Sequence, residues 1–204
     1  MASRQDLDRV YMKMAYDASE LSRARRRKVG AILVTPSEGR FEGVNGTPSG
    51  FDNNCEDEIE DIETVVKTFD NDGMPLCNSI INQPVKQLVT KPEVLHAESN
   101  AIMKVARSHA SSAGGTLYCT LAPCIECAKL NIQAGIVRVV YSEHYPYPGH
   151  SGPMRTVGLS LLIRAKIQVD NLPLTRQNSD DKDLVPTDEG YHDTKEDSWR
   201  GFRP

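Results

Sequence analysis

The stretch Thr116-Leu117-Tyr118-Cys119-Thr120-Leu121-Ala122-Pro123-Cys124-Ile125-Glu126-Cys127 passes from a short apolar run, through a proline, into a pair of cysteines three residues apart. Thr116–Thr120 reads as a strand. Cys124–Ala134 reads as a helix, with Pro123 where proline is tolerated at a first turn. The same alternation continues on either side. Ala97–Arg107 reads as a helix, Val137–Ser142 as a strand, Arg155–Ala165 as a helix and Lys166–Val169 as a strand. Nearer the start, Leu7, Val10, Tyr11, Met14, Ala15 and Ala18 recur at helical spacing within Asp6–Ala18, and Val29–Val34 and Gly39–Val44 read as strands. The pattern predicts an α/β fold with helices packed on a mainly parallel or mixed sheet.

With 204 residues, 39% of them hydrophobic, the chain suits one domain, expected over residues 1–174, with an insertion at 51–93 and a charged tail at 175–204. Within the insertion, Glu56–Phe69 is acidic and reads as weakly helical. A turn follows at Asn71-Asp72-Gly73-Met74-Pro75, and then a second helix candidate. The tail is expected to be disordered or loosely docked, with Trp199 and Phe202 as its docking residues. The first ten residues carry frequent charges and no apolar run, and no stretch of eighteen apolar residues occurs, so a soluble, cytoplasmic protein without a membrane span is expected. A formal charge of −4 gives no general attraction to nucleic acid, yet Arg23, Arg25, Arg26, Arg27 and Lys28 form a local basic cluster. That cluster suits bidentate recognition of nucleotide phosphates, and equally a solvated helix end or a localisation signal.

His96, Cys124 and Cys127 have the chemistry of a zinc site. Cysteines at i and i+3 on a helix share a face, and the positive end of the helix favours thiolate over thiol. Three protein ligands leave one tetrahedral position for water, the arrangement of a catalytic zinc. Glu98 lies two residues beyond His96, and both can face one cavity only at a helix entrance, where the backbone is still turning. A carboxylate there can take a proton from water and deliver it to a ring nitrogen and a leaving amine. The competing reading is a structural zinc with a fourth ligand from His109, Cys119, Cys55 or Cys77, which leaves the position of Glu98 unexplained. Cys55 and Cys77 suit either a second metal or small buried apolar positions. His144 and His150, near Tyr145, are candidate ligand contacts.

His96-Ala97-Glu98 followed by Pro123-Cys124-Ile125-Glu126-Cys127 matches the H-x-E and P-C-x-x-C signature of zinc deaminases. Together with Lys28-Val29-Gly30-Ala31, the loop Gly43 to Gly50, His96 to Ile102 and Leu121 to Ile136, it makes the chain, over roughly Tyr11–Val169, resemble the cytidine deaminase superfamily. Within that superfamily the first two stretches and Asn100-Ala101-Ile102 are similar to the deoxycytidylate (dCMP) deaminases, more than to transfer-RNA adenosine deaminases. The resemblance implies a three-layer α/β/α fold around a five-stranded mixed sheet, and Zn2+ held by His96, Cys124 and Cys127 with Glu98 as the catalytic proton shuttle. It implies hydrolysis of dCMP to dUMP with release of ammonia, supplying dUMP for thymidylate synthesis. It also implies substrate contacts at Asn45 (deoxyribose), the backbone near Ala97 (base), Pro123 and Tyr145. From it follow, finally, a homo-hexamer and a nucleotide-regulated surface at Lys28, Gly46, Gly50 and Arg107, activated by dCTP and inhibited by dTTP with Mg2+.

The chain departs from the family pattern in three places. Val44 replaces a tyrosine, Pro146 to Gly152 lacks acidic residues, and Ala24 and Lys86 stand where some phage members hold a second, structural zinc. A 5-substituted dCMP, dCTP, a free cytosine nucleoside or a nucleic-acid base are the alternative substrates. Net acidity and only 6% aromatic residues count against the last.

Overall fold

The computed structural model describes residues 3–66, 80–144, 157–176, 184–186 and 192–193. The first helix, α1 (Arg4–Ser19), begins two residues before the apolar periodicity because Ser3 and Asp6 form a capping box. The Ser3 hydroxyl accepts from the Asp6 amide at 3.2 Å, and the Asp6 carboxylate accepts from the Ser3 amide at 2.9 Å. Strands β1 (Gly30–Val34) and β2 (Arg40–Val44) form a hairpin, followed by a second, separate hairpin of β3 (Glu56–Val66) and β4 (Ile80–Thr90). Then come α2 (Ala97–Ala106), β5 (Thr116–Leu121), α3 (Ile125–Gln133), β6 (Arg138–Glu143), α4 (Val157–Arg164) and β7 (Gln168–Asn171).

Five strands form a mixed sheet in the order β2-β1-β5-β6-β7, antiparallel from β2 to β5 and parallel from β5 to β7. The two-residue β10 (His192–Asp193) adds an edge to β7. Period-two alternation assigns the faces. Ala31, Leu33, Leu117, Cys119, Leu121, Val139 and Tyr141 are buried in the core that includes Ala97, Ala101 and Val105 of α2, Ala128 of α3 and Leu159 and Leu162 of α4. Ile32, Tyr118 and Val140, the intervening residues, pack with Met12 and Ala15 of α1. Three layers result. A buried ion cluster ties α1 to the sheet. The Asp8 carboxylate accepts from both terminal nitrogens of Arg138, at 2.7 and 2.8 Å, and from the Tyr118 hydroxyl at 2.6 Å, while Arg138 Nε donates to Asp170.

The expected helix at Glu56–Phe69 is instead strand β3 through Val66, and the second helix candidate of the insertion is strand β4. A helix would stack like charges at i and i+4, Glu56 with Glu60 and Asp57 with Asp61, whereas Ile59, Ile62, Thr64, Val65 and Val66 suit a pleated strand. The antiparallel register sets Glu60 opposite Lys86, a favourable cross-strand charge pair. The turn expected at Asn71–Pro75, and Cys77 with it, lie outside the described residues. In the tail, expected to be disordered or loosely docked, β8 (Leu174–Arg176) pairs with β9 (Leu184–Pro186), alongside the β10 pairing. Trp199 and Phe202 lie outside the described residues. Among the described residues no helix is long and apolar enough to cross a membrane.

Candidate active site

Two helix entrances meet beside the sheet. At the first, His96 is the N-cap of α2 with extended backbone (φ −82°, ψ 153°), and Glu98 sits in the first helical turn. The change of direction between cap and helix lets residues two apart serve one site. α2 can come this close to β2 because Gly43 has no side chain, since a Cβ there would collide with the Ala97 carbonyl oxygen. Asn100 adds a tie, donating from Nδ2 to the Val44 carbonyl at 2.7 Å. At the second entrance, β5 delivers the chain through Ala122 and Pro123 to Cys124, the N-cap of α3. The Cys124 sulfur accepts from the Cys127 amide at 3.5 Å, so an unpaired amide of the helix start faces a sulfur.

His96 Nδ1 lies 3.2 Å from Cys127 Sγ and 3.4 Å from Cys124 Sγ, and all three donor atoms fall within 4.8 Å of one another. A tetrahedral zinc, with bonds of about 2.0–2.3 Å to nitrogen and sulfur, sets its ligand atoms roughly 3.5–3.8 Å apart. These three residues therefore fit zinc in both donor chemistry and spacing. No fourth histidine, cysteine or carboxylate joins the cluster among the described residues. Of the fourth ligands a structural zinc would need, Cys55 packs in a separate apolar cluster with Ala24 and Val94, Cys119 lies in the core strand β5, and His109 is exposed beyond α2. Cys55 thus acts as a small apolar residue.

The sulfurs are poised for metal. A hydrogen bond from Cys127, opposed by burial and helped by His96, holds the Cys124 thiol down to about 4. Cys127 is pushed up because its thiol is hydrogen-bonded to Cys124 and because it is buried, so it holds its proton as the donor of the pair. A cation bound there would displace that proton. Glu98 is only 4% exposed, and burial pushes its carboxyl above the ordinary range.

One cleft is shared by this centre and the basic cluster: His96, Ala97, Glu98 and Cys124 line it together with Arg26 and Arg27. Asn45 also lines it, its side chain tying down the basic loop. Its Oδ1 accepts from the Val29 amide at 2.8 Å and from the Ser22 hydroxyl at 2.7 Å, and its Nδ2 donates to the Arg27 carbonyl at 2.9 Å. The remaining wall includes Glu56 and Thr90, from the base of the β3–β4 hairpin, which sequence reasoning missed. Nothing marks Glu56 within its acidic run, because its distinction is the partner it meets after folding.

A family model described as "Cytidine and deoxycytidylate deaminase zinc-binding region" matches residues 5–143. The chain belongs to that deaminase family. The deoxycytidylate deaminase of Enterobacteria phage T2 is 30% identical over 79% of this chain and 94% of its own length. The deoxycytidylate deaminase of Saccharomyces cerevisiae is 32% identical over 70% of this chain, a match that spans 39% of the yeast protein. Among solved structures, the cyanophage S-TIM5 dCMP deaminase in complex with dCMP and dUMP has a TM-score of 0.61 and 32% identity, covering 84% of this chain and 100% of that one. The three-layer fold with a five-stranded mixed sheet is therefore that of the cytidine deaminase family.

The structure does not bring all the remaining sequence-predicted site residues together. Pro123 stands just before the Cys124 cap, its carbonyl packed where a Cβ on Gly158 would sit. Gly46 pairs with Leu95 through both backbone groups, at 3.1 and 2.9 Å, and so holds the Asn45 loop against the residue before His96. Gly50 closes that loop with φ +94°. Lys28 reaches Glu20 at 3.4 Å on the surface. Arg107 is the C-cap of α2, at the other end of that helix from His96 and roughly 15 Å along its axis. Tyr145 and His150 lie outside the described residues.

Proposed function

We propose that this chain hydrolyses dCMP to dUMP and ammonia, supplying dUMP for thymidylate synthesis. The observation that carries the reading is the single cleft that joins the His96, Cys124, Cys127 and Glu98 centre to Arg26 and Arg27. It offers a place for the base at one end and for a phosphate at the other. The relatives named deoxycytidylate deaminases, and the phage neighbour that holds dCMP and dUMP, support the same substrate.

His96, Cys124 and Cys127 would hold Zn2+, which when bound would supply a Lewis acid that makes water nucleophilic near neutral pH. Glu98 takes the proton of the attacking water on its carboxylate and gives it to the ring nitrogen beside the amidine carbon. It then carries the second proton to the departing amine, so that dCMP and water become dUMP and ammonia. Its burial keeps the carboxyl able to hold a proton between these steps. The backbone at Ala97, Pro123 beside the cysteine cap and the Asn45 amide orient base and sugar, with Tyr145 beside them. Arg26 and Arg27 take the phosphate, which guanidinium groups recognise through paired hydrogen bonds.

The reading extends to a homo-hexamer with Arg107 near its subunit contacts, and to activation by dCTP and inhibition by dTTP with Mg2+ at the surface that includes Lys28, Gly46 and Gly50. Ammonia release by purified protein, with dCMP, 5-substituted dCMP, dCTP and deoxycytidine compared with and without dCTP or dTTP, tests it. Charge-assisted phosphate contacts of about 1.5–3 kcal/mol each predict kcat/KM for dCMP at least about tenfold above that for deoxycytidine. Equal turnover of the two rejects the nucleotide assignment.

A further inference from the structure

The Arg25–Arg26 backbone has an unusual anchor. Glu56, at the start of β3, is 1% exposed and carries a carboxylate into the cleft wall. Its Oε2 accepts from the Arg25 amide at 3.0 Å, and its Oε1 accepts from the Arg25 and Arg26 amides, each at 3.2 Å. No side-chain cation pairs with it among the described ion pairs. A buried carboxylate is costly, and here two consecutive backbone N–H groups satisfy it. Directly across the hairpin Thr90 pairs with Glu56 in register, and its hydroxyl accepts from Arg26 Nη1 at 3.1 Å. The Arg25 guanidinium reaches Glu58, also on β3, at 2.9 Å. Thus the base of the inserted hairpin grips the basic loop by backbone and by side chain, within the wall of the same cleft.

The structure assigns Glu56 and Thr90 a part in substrate selection: we infer that they are positioning residues that hold Arg26 and Arg27 in the geometry that recognises the 5′-phosphate. The inference rests on the phosphate assignment made above and adds to it the reason for the insertion. A flexible arginine loop loses side-chain and backbone freedom when it closes on phosphate, and a loop already tied down at Glu56, Thr90 and Asn45 has less to lose. The hairpin therefore acts on binding of the phosphorylated substrate, and the chemistry stays with Glu98 and the metal ligands.

Glu56→Gln in the full zinc-loaded chain tests this, with KM and kcat measured for dCMP and for deoxycytidine. The amide keeps one acceptor, loses the charge, and turns its NH2 group toward the Arg25 amide donor. KM for dCMP rises about tenfold and KM for deoxycytidine less than about threefold, so the wild-type preference for the phosphorylated substrate shrinks. Thr90→Val, which keeps the side-chain shape and removes the contact to Arg26, raises KM for dCMP about threefold in the same selective way and serves where Glu56→Gln fails to fold. Glu56→Asp, which keeps a carboxylate, restores part of the preference. Equal losses on both substrates, a loss confined to kcat, or an unchanged KM for dCMP would overturn the inference. A wild type that shows no preference for dCMP instead removes the phosphate assignment beneath it, a result seen before any variant is made.

Discussion

The two ends of the cleft are built differently. The end proposed to hold zinc consists of helix entrances, α2 at His96 and α3 at Cys124, seated on a sheet whose contacting residues are almost wholly buried. Its geometry comes from backbone that the core already holds rigid. The arginine end is a connection between α1 and β1, half exposed, held by side chains that reach back to its amides and carbonyls from Glu56 and Asn45. Arg27 is braced further by Glu143 at 2.6 Å. Chemistry needs atoms fixed to within fractions of an ångström, which packed elements provide. Recognition of a mobile phosphate tolerates a loop with adjustable ties.

Breaking the metal end has the largest expected effect. Cys124→Ala removes a ligand and the helix cap together, so bound zinc falls from one equivalent toward none by elemental analysis and turnover drops by at least about 10⁴-fold. Full activity in the metal-free variant would mean that this end is not the chemical end. Glu98→Gln is the finer cut. Zinc content should hold while kcat falls about 10²–10⁴-fold, because the amide cannot accept the proton. An unchanged kcat would instead favour a binding module. At the other end, Arg26→Ala raises KM for dCMP about tenfold with kcat little changed, the pattern of lost binding shared by ground and transition states. A large kcat loss in that variant would erase the division between the two ends.

How much of this was legible before folding follows the same division. The strand and helix alternation from Ala97 onward reads directly, because each buried parallel strand carries a short apolar run, interrupted by polar residues such as Arg138 and Asp170, and the helices between them keep one apolar face. Boundaries moved by a residue or two, as at α3, where Cys124 is the cap and Ile125 the first helical residue. The clustering of His96, Cys124 and Cys127, with Glu98 beside them, was legible from residue type and spacing alone. The hairpin was not. Its acidic strand has no strong local preference, and it is settled by pairing with a strand 24 residues further on, where Glu56 meets Thr90 and Glu60 meets Lys86. Nor was the work of Asn45 legible, since three of its hydrogen bonds go to a loop that precedes it by 16 to 23 residues.

The sequence by itself determined the donor set, one imidazole and two sulfurs with a carboxylate two residues from the first, because metal chemistry selects residue types and helix geometry selects their spacing. It also determined the order of elements, through periodicity. Only the tertiary structure decided that the two helix entrances face each other, that a hairpin and not a helix fills the insertion, and that a buried glutamate on that hairpin grips the arginine loop. Those arrangements depend on contacts between distant segments, whose energy exists only once the chain has brought them together.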